Sequence, residues 1–185
     1  MMDYAIGMLW ALGTVGTDGK GTPRIIVRHR DKQMLDDVVE YGQLEQAPFL
    51  EQTKAKTYWR LNIPYRTKLI QRLFAAGWQP KSDKARGMAA GDVDPVMWLK
   101  GYCRMRAHFT FAKRNAATVR ILIIYGSAPI IDDVNLLLSQ LYNTKLKKPQ
   151  HIKKNIVDTW QGECWAIYYQ GQKEVELLAK RLEMK

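Results

Sequence analysis

The chain has 185 residues, with 29 Lys and Arg side chains against 18 Asp and Glu, a formal net charge of +11 and 46% hydrophobic residues. Six Trp, nine Tyr and this apolar content exclude a disordered basic tail, because a chain of this length can bury a substantial core. The two cysteines, Cys103 and Cys164, are too few for a disulfide scaffold or a thiolate zinc site, and they indicate a reducing compartment.

The apolar N-terminal segment, residues 1–16, has Asp3 where a secretory signal would have Lys or Arg, and it is too short to span a membrane. We therefore expect an intracellular protein, in the cytoplasm, the nucleoid or an organelle matrix, that is neither secreted nor membrane-bound. The positive charge favours nucleic acid as the partner. A solubilising surface, a ribosome-associated protein and an anionic membrane surface are the alternatives.

In chain order, the first half predicts a helix over residues 4–17, with the small residues Gly13 and Gly16 on one face. A strand over 24–30, an amphipathic helix over 32–39, a strand over 57–63 and a closing helix over 65–76 follow. Turn-forming residues then predict a break in the chain. We divide the sequence into a first repeat (1–78), a linker (79–94) and a second repeat (95–185).

The second repeat predicts the same order of elements, opening with a helix around Gly101. Gly13 and Gly101 are 88 positions apart, whereas the Asp-Asp-Val triplets at 36–38 and 132–134 are 96 positions apart. Because the offset grows by eight residues, we expect the first repeat to lack about one strand, which the second keeps at 108–114.

Alternation along the predicted strands places basic side chains on one face of each sheet. Arg24, Arg28 and Arg30 alternate with Ile25 and Val27, which predicts an apolar face under helices and a continuous basic face suited to a nucleic-acid groove. An ordinary half-exposed sheet is the alternative. The candidate nucleic-acid-binding residues are Arg24, Arg28, Arg30, Lys54, Lys56, Arg60, Arg106, His108, Arg114, Arg120, Lys148 and Lys154.

Residues 11–19, Ala-Leu-Gly-Thr-Val-Gly-Thr-Asp-Gly, resemble the LAGLIDADG signature of homing endonucleases, and residues 99–107 resemble a second copy. The resemblance implies an α/β (α+β) fold of two pseudo-symmetric repeats whose antiparallel sheets form a DNA-binding saddle. It also implies that the motif helices pack along small residues, and that an acid at each helix end binds a divalent metal beside a scissile phosphate. Asp18 is then the candidate catalytic residue and Mg²⁺ ligand. Without the resemblance, Asp18-Gly19 reads equally well as a helix-ending turn.

The second copy departs from the signature, because Arg106 stands at the place of the acid and a guanidinium cannot ligate Mg²⁺. We therefore expect a monomer that binds double-stranded DNA without needing a metal and does not cleave it efficiently, such as a sequence-specific regulator derived from a mobile-element nuclease. The first alternative is a residual Mg²⁺-dependent endonuclease or nickase that uses Asp18. The second is an RNA-binding, maturase-like or ribosome-associated protein.

Overall fold

The computed structural model of the protein describes residues 1–53, 56–80, 86–114, 117–152 and 163–184. Within these ranges the chain forms helices and strands in a regular order. The helices are α1 (Met2–Leu12), α2 (Lys32–Gly42), α3 (Lys68–Ala75), α4 (Pro95–Arg106), α5 (Ala128–Tyr142) and α6 (Gln172–Arg181). The strands are β1 (Thr14–Thr17), β2 (Pro23–His29), β3 (Phe49–Gln52), β4 (Thr57–Pro64), β5 (Ala107–Arg114), β6 (Ala117–Gly126), β7 (Gln150–Ile152) and β8 (Cys164–Tyr169).

The order helix, two strands, helix, two strands, helix occurs twice along the chain. The strands form two four-stranded antiparallel sheets, with the orders β1-β2-β4-β3 and β5-β6-β8-β7. The predicted α+β class is therefore confirmed. The expected loss of a strand from the first repeat is wrong, because β1 is present as a strand of 4 residues where β5 has 8.

The first helix is shorter than the sequence analysis predicted. It ends at Leu12, and the N–H of Gly13 donates to the carbonyl of Leu9 at 2.7 Å. Residues 14–17 leave the helix and pair with β2. The β-branched side chains of Thr14, Val15 and Thr17 favour an extended backbone and disfavour a helix, so a signal for this boundary was present in the sequence.

The chain divides into two compact units, Met1–Lys81 with Ala89–Met105, and Ser82–Met88 with Arg106–Lys185. Helix α4, which was predicted to open the second repeat, thus packs with the first unit. In that unit α1 and α2 pack on one face of the first sheet, where Ile25, Val27, Leu61 and Ile63 are fully buried, and α3 packs against α1. In the second unit α5 and α6 cover one face of the second sheet, and that face includes the buried side chains of Leu122, Ile124, Ile167 and Tyr169.

Helices α1 and α4 approach each other at two glycines. A Cβ atom on Gly7 would collide with the carbonyl oxygen of Trp98, and a Cβ atom on Gly101 would collide with the carbonyl oxygen of Tyr4. The indole rings of Trp10 and Trp98 pack edge to face beside this crossing, with ring centroids 6.1 Å apart. The crossing therefore uses Gly7, and the expectation that Gly13 and Gly16 form this surface is wrong.

None of the helices in the described ranges has the length and apolar character that a membrane span requires.

Candidate nucleic-acid interface

The two glycines of the helix crossing give the structural correspondence between α1 and α4. Gly7 and Gly101 are 94 positions apart, and the last residues of the two helices, Leu12 and Arg106, are separated by the same 94 positions. The residue that matches Arg106 is therefore Leu12 and not Asp18. Neither helix ends on a carboxylate. The side chain of Leu12 has no oxygen ligand and that of Arg106 is a cation, so neither of these two side chains can ligate a divalent metal ion.

Asp18 lies in the turn between β1 and β2, where its carboxylate is fully engaged within the hairpin. Its Oδ1 atom accepts hydrogen bonds from the backbone N–H groups of Lys20 and Thr22, both at 2.9 Å. Its Oδ2 atom accepts from Arg24 Nε at 3.1 Å and Arg24 Nη2 at 2.7 Å. The bonds from the Arg24 guanidinium, followed by those from the backbone, lower the pKa of Asp18 from 3.8 to about 2. The structure therefore gives Asp18 the role of a turn anchor and an arginine partner.

A second carboxylate bridges two arginines on the same sheet. Arg28 and Arg60 lie directly opposite each other on β2 and β4, where two like charges would repel. Glu51 of β3 accepts hydrogen bonds from both guanidinium groups, and the contact from Arg28 Nη2 measures 3.2 Å. Arg60 Nε also donates to Asn62 Oδ1 at 2.7 Å. The two arginines lower the pKa of Glu51 from 4.5 to about 2, with the hydrogen bond from Arg28 as the largest cause.

The uncovered face of the first sheet, here called the outer face, is less basic than predicted. Strand register places Arg24, Arg28 and Arg60 on it, as the alternation predicted, but Asp18 and Glu51 pair with all three. Ile26, which is 5% exposed, also lies between Arg24 and Arg28 on this face. The expectation of a continuous basic face is therefore wrong, because tertiary contacts bring carboxylates among the arginines.

Two candidate cations of the first unit lie just outside the strands. Arg30 follows β2 and Lys56 precedes β4, and both side chains are exposed. Neither has an ion-pair partner in the part of the chain that the structure describes. Their charges are therefore available to a polyanion.

The outer face of the second sheet is apolar and aromatic. Ile121, Ile123 and Ala166 form a buried cluster on it. The cluster is surrounded by Ala112, Tyr125, Ile152 and Tyr168. The basic face that was predicted for this half is thus replaced by hydrophobic packing within the described residues.

His108 lies on this face, as its strand parity predicted, but it carries little charge near neutral pH. Its ring stacks on Tyr125, with centroids 5.1 Å apart and an interplanar angle of 20°. Partial burial lowers the pKa of His108 below its ordinary value of 6.5. A neutral imidazole on a tyrosine ring suits contact with an apolar or aromatic group better than contact with phosphate.

The remaining candidate nucleic-acid-binding residues lie in separate parts of the chain. Arg120 lies opposite Phe111 in the ladder, on the helix-covered side of the sheet, and its guanidinium stacks on Phe109 at 3.6 Å. Arg106 is half-buried near Cys164, whose pKa is raised by burial and lowered in part by the charge of Arg106. Lys148 is exposed in the segment between α5 and β7. Lys54, Lys154 and the side chain of Arg114 lie outside the described residues.

The acidic residues of this surface were not anticipated from the sequence. Residues 49–52 were not recognised as a strand, because the order Phe-Leu-Glu-Gln shows no alternation of apolar and polar side chains. Glu51 therefore went unnoticed. Among the described residues, no group of three or more His, Cys, Asp or Glu side chains has an arrangement that could hold a metal ion.

The structure is similar to solved LAGLIDADG homing endonucleases. The I-LtrWI LAGLIDADG homing endonuclease bound to target DNA matches with a TM-score of 0.61 at 13% identity, over 95% of this chain and 80% of that chain. The LAGLIDADG meganuclease I-AabMI bound to uncleaved DNA matches with a TM-score of 0.58 at 11% identity, over 99% and 83%. I-SmaMI bound to an uncleaved DNA target in the presence of calcium ions matches with a TM-score of 0.55 at 12% identity, over 98% and 84%.

These matches show that the chain has the LAGLIDADG homing endonuclease fold, as the sequence motif predicted. No protein-family model and no curated protein sequence matches the chain.

Proposed function

We propose that this protein binds double-stranded DNA and does not cleave it. The observation that carries the proposal is the pair of residues at the ends of the two crossing helices, Leu12 and Arg106. The similar structures are those of endonucleases bound to DNA, which supports DNA as the partner. Metal-dependent hydrolysis of two strands needs metal-binding carboxylates beside each scissile phosphate, and neither of these two side chains is a carboxylate.

The Asp18 nickase, which is the enzymatic alternative, has little support from the geometry. Asp18 stands six residues beyond the end of α1, and both of its oxygens accept hydrogen bonds from the hairpin and from Arg24. A metal ion at Asp18 would have to displace a bidentate guanidinium. A single carboxylate with no further acid beside it is also a weak site for a hard cation.

Phosphate attraction in this proposal comes from the cations that have no carboxylate beside them. Arg30 and Lys56 in the first unit and Lys148 in the second unit are exposed candidates of this kind. Each phosphate that a cation neutralises on duplex DNA contributes about −0.9 to the slope of log affinity against log salt concentration. The paired arginines contribute less to this slope, because their charge is already largely cancelled.

The binding test is a selection of the full chain on a randomised DNA duplex library, with structured RNA as competitor, with and without Mg²⁺. Enrichment of a duplex sequence, equal affinity in both conditions and a steep negative salt slope support the proposal. Preferential retention of the RNA would favour the maturase-like alternative. A flat salt dependence would contradict the electrostatic reasoning. Light scattering at the same concentrations tests the expectation of a monomer.

The cleavage test uses supercoiled plasmid that contains the selected sequence, with excess protein and Mg²⁺. The plasmid should stay supercoiled. Nicking or linearisation by the wild-type protein that is lost in Asp18→Asn would show that the protein is a nuclease. The matched control is Asp36→Asn, which removes a partly exposed carboxylate that pairs with Lys32 on α2, far from the hairpin in sequence.

A further inference from the structure

The arginines of the outer face of the first sheet are bound to carboxylates in a particular way. Asp18 accepts hydrogen bonds from Nε and Nη2 of Arg24, and Glu51 accepts from Nε and Nη2 of Arg28. In both pairs the carboxylate binds the side of the guanidinium that is formed by Nε and Nη2. A guanidinium has five N–H donors, so both Nη1 donors and one Nη2 donor of each arginine are not used by its carboxylate, and one from each Nη nitrogen points along the end of the group.

The remaining donors suit the edge of a guanine base. Guanine presents two acceptors, O6 and N7, in the major groove, and a bidentate arginine is the commonest partner for them. Arg28 has the more accessible side chain, with 42% of its surface exposed, against 23% for Arg24. Arg60 is less suited to this role, because it is 16% exposed and its Nη1 group, which is unused in the other two arginines, donates to Glu51.

Pairing with a carboxylate changes what an arginine contributes to DNA binding. Cancellation of its charge weakens its attraction to phosphate, which is independent of sequence. Restriction of its rotamers removes part of the entropy that would otherwise be lost on binding. A paired arginine therefore contributes more to the choice of base than to the overall affinity.

We propose that Asp18 and Glu51 are positioning residues that hold Arg24 and Arg28 for guanine recognition in duplex DNA. This inference rests on the proposed DNA binding and specifies what the first unit recognises. Arg24 and Arg28 are four positions apart on β2, which corresponds to about 13 Å at 3.2–3.4 Å per residue. Where the strand follows the groove, that distance matches about four base-pair steps of 3.4 Å. The selected site should thus contain two guanines about four base pairs apart.

The test compares charge-preserving variants in the duplex selection. Arg28→Lys keeps the positive charge but loses the two parallel N–H donors of the guanidinium. Its salt slope should therefore equal that of the wild type, while its preference for one guanine over adenine falls on the order of tenfold. Arg24→Lys should reduce the preference for guanine over adenine at the other of the two positions. Arg72→Lys is the matched control, because Asp3 accepts from Nε and Nη2 of Arg72 in the same way but Arg72 lies on helix α3 and not on the outer face, and it should leave both preferences unchanged.

Modified DNA tests the contact without changing the protein. Replacement of the guanine read by Arg28 with 7-deazaguanine removes the N7 acceptor, and wild-type affinity should fall on the order of tenfold. The same replacement should have little effect on Arg28→Lys and a reduced effect on Glu51→Gln. A purely structural role of Glu51 would lower the stability of Glu51→Gln but leave the full 7-deazaguanine effect in place, and that result would overturn the inference.

The failure of this inference can be distinguished from the failure of the proposed function. Selection of a duplex without the spaced guanines, or equal affinity for guanine and 7-deazaguanine, would overturn guanine recognition while DNA binding stands. Failure of the protein to retain any duplex DNA would overturn both.

Discussion

Replacement of Gly101 by Ala should lower the free energy of unfolding, although Ala is the better helix former. In an unconstrained helix interior the change would stabilise the fold by about 0.5–1 kcal/mol. Here the new methyl group would overlap the carbonyl oxygen of Tyr4 and lie 3.1 Å from the backbone nitrogen of Met8. These are backbone atoms of α1, so they cannot rotate away, and the two helices would have to move apart.

The free-energy cost of moving the two helices apart should exceed the gain from the higher helix propensity of Ala. Overpacking of a well-packed interior typically costs about 1–3 kcal/mol, and loosening of the crossing would also weaken the contact between Trp10 and Trp98. We expect a net loss of about 2 kcal/mol, which corresponds to a decrease of roughly 4–8 °C in Tm for a chain of this size. Urea unfolding followed by far-UV circular dichroism measures the change.

Gly19→Ala is the matched control, because a Cβ atom on Gly19 has no heavy atom within 4 Å. Its stability should stay within about 0.5 kcal/mol of the wild type. Gly7→Ala, at the other side of the crossing, should behave like Gly101→Ala, since it meets the carbonyl of Trp98. Equal stability of Gly101→Ala and the wild type would show that α1 and α4 do not pack through these glycines.

Three further measurements test other features of the structure. Asp37→Asn should lower stability in urea by about 0.5–1 kcal/mol, because it removes the partly buried charge that pairs with Arg104 at 3.2 Å; an unchanged midpoint would mean that this pair contributes nothing. The pKa of Glu51 is lowered from 4.5 to about 2, so its carboxylate stabilises the fold above pH 4.5 and this contribution is lost as the pH falls towards 2. Glu51→Gln should therefore flatten that part of the stability curve, and a curve as steep as that of the wild type would contradict the pairing. Burial raises the pKa of the Cys103 thiol, so alkylation followed by mass spectrometry should modify this residue only after unfolding.

Much of the fold could be predicted from the sequence because it depends on local patterns. The alternation of Ile25 and Val27 with arginines identified β2 and its covered face correctly. The Asp-Asp-Val triplets identified α2 and α5 as corresponding helices. These features depend on periodicity and composition, which neighbouring residues determine on their own.

The position of the motif could not be derived in the same way. Residues 11–19 match the signature letters, but the helix that crosses α4 uses Gly7 and ends at Leu12. With Gly7 as the partner of Gly101, the offset between repeats grows from 94 to only 96 positions, and the need for a lost strand disappears. Which glycine forms the crossing depends on contact between elements about 90 residues apart, and a local pattern holds no information about it.

The charge of the outer face was also decided by tertiary structure. Composition established an excess of 11 positive charges, and strand parity placed Arg24 and Arg28 on one face. Only the strand order β1-β2-β4-β3 brings Glu51 of the edge strand into contact with both Arg28 and Arg60. The sequence by itself thus determined the net charge, the helices and the central strands β2 and β4, whereas β1 and β3 were missed. Hydrogen-bond register between distant segments determined which of those charges are paired, because a guanidinium and a carboxylate can neutralise each other only where the fold places them within contact.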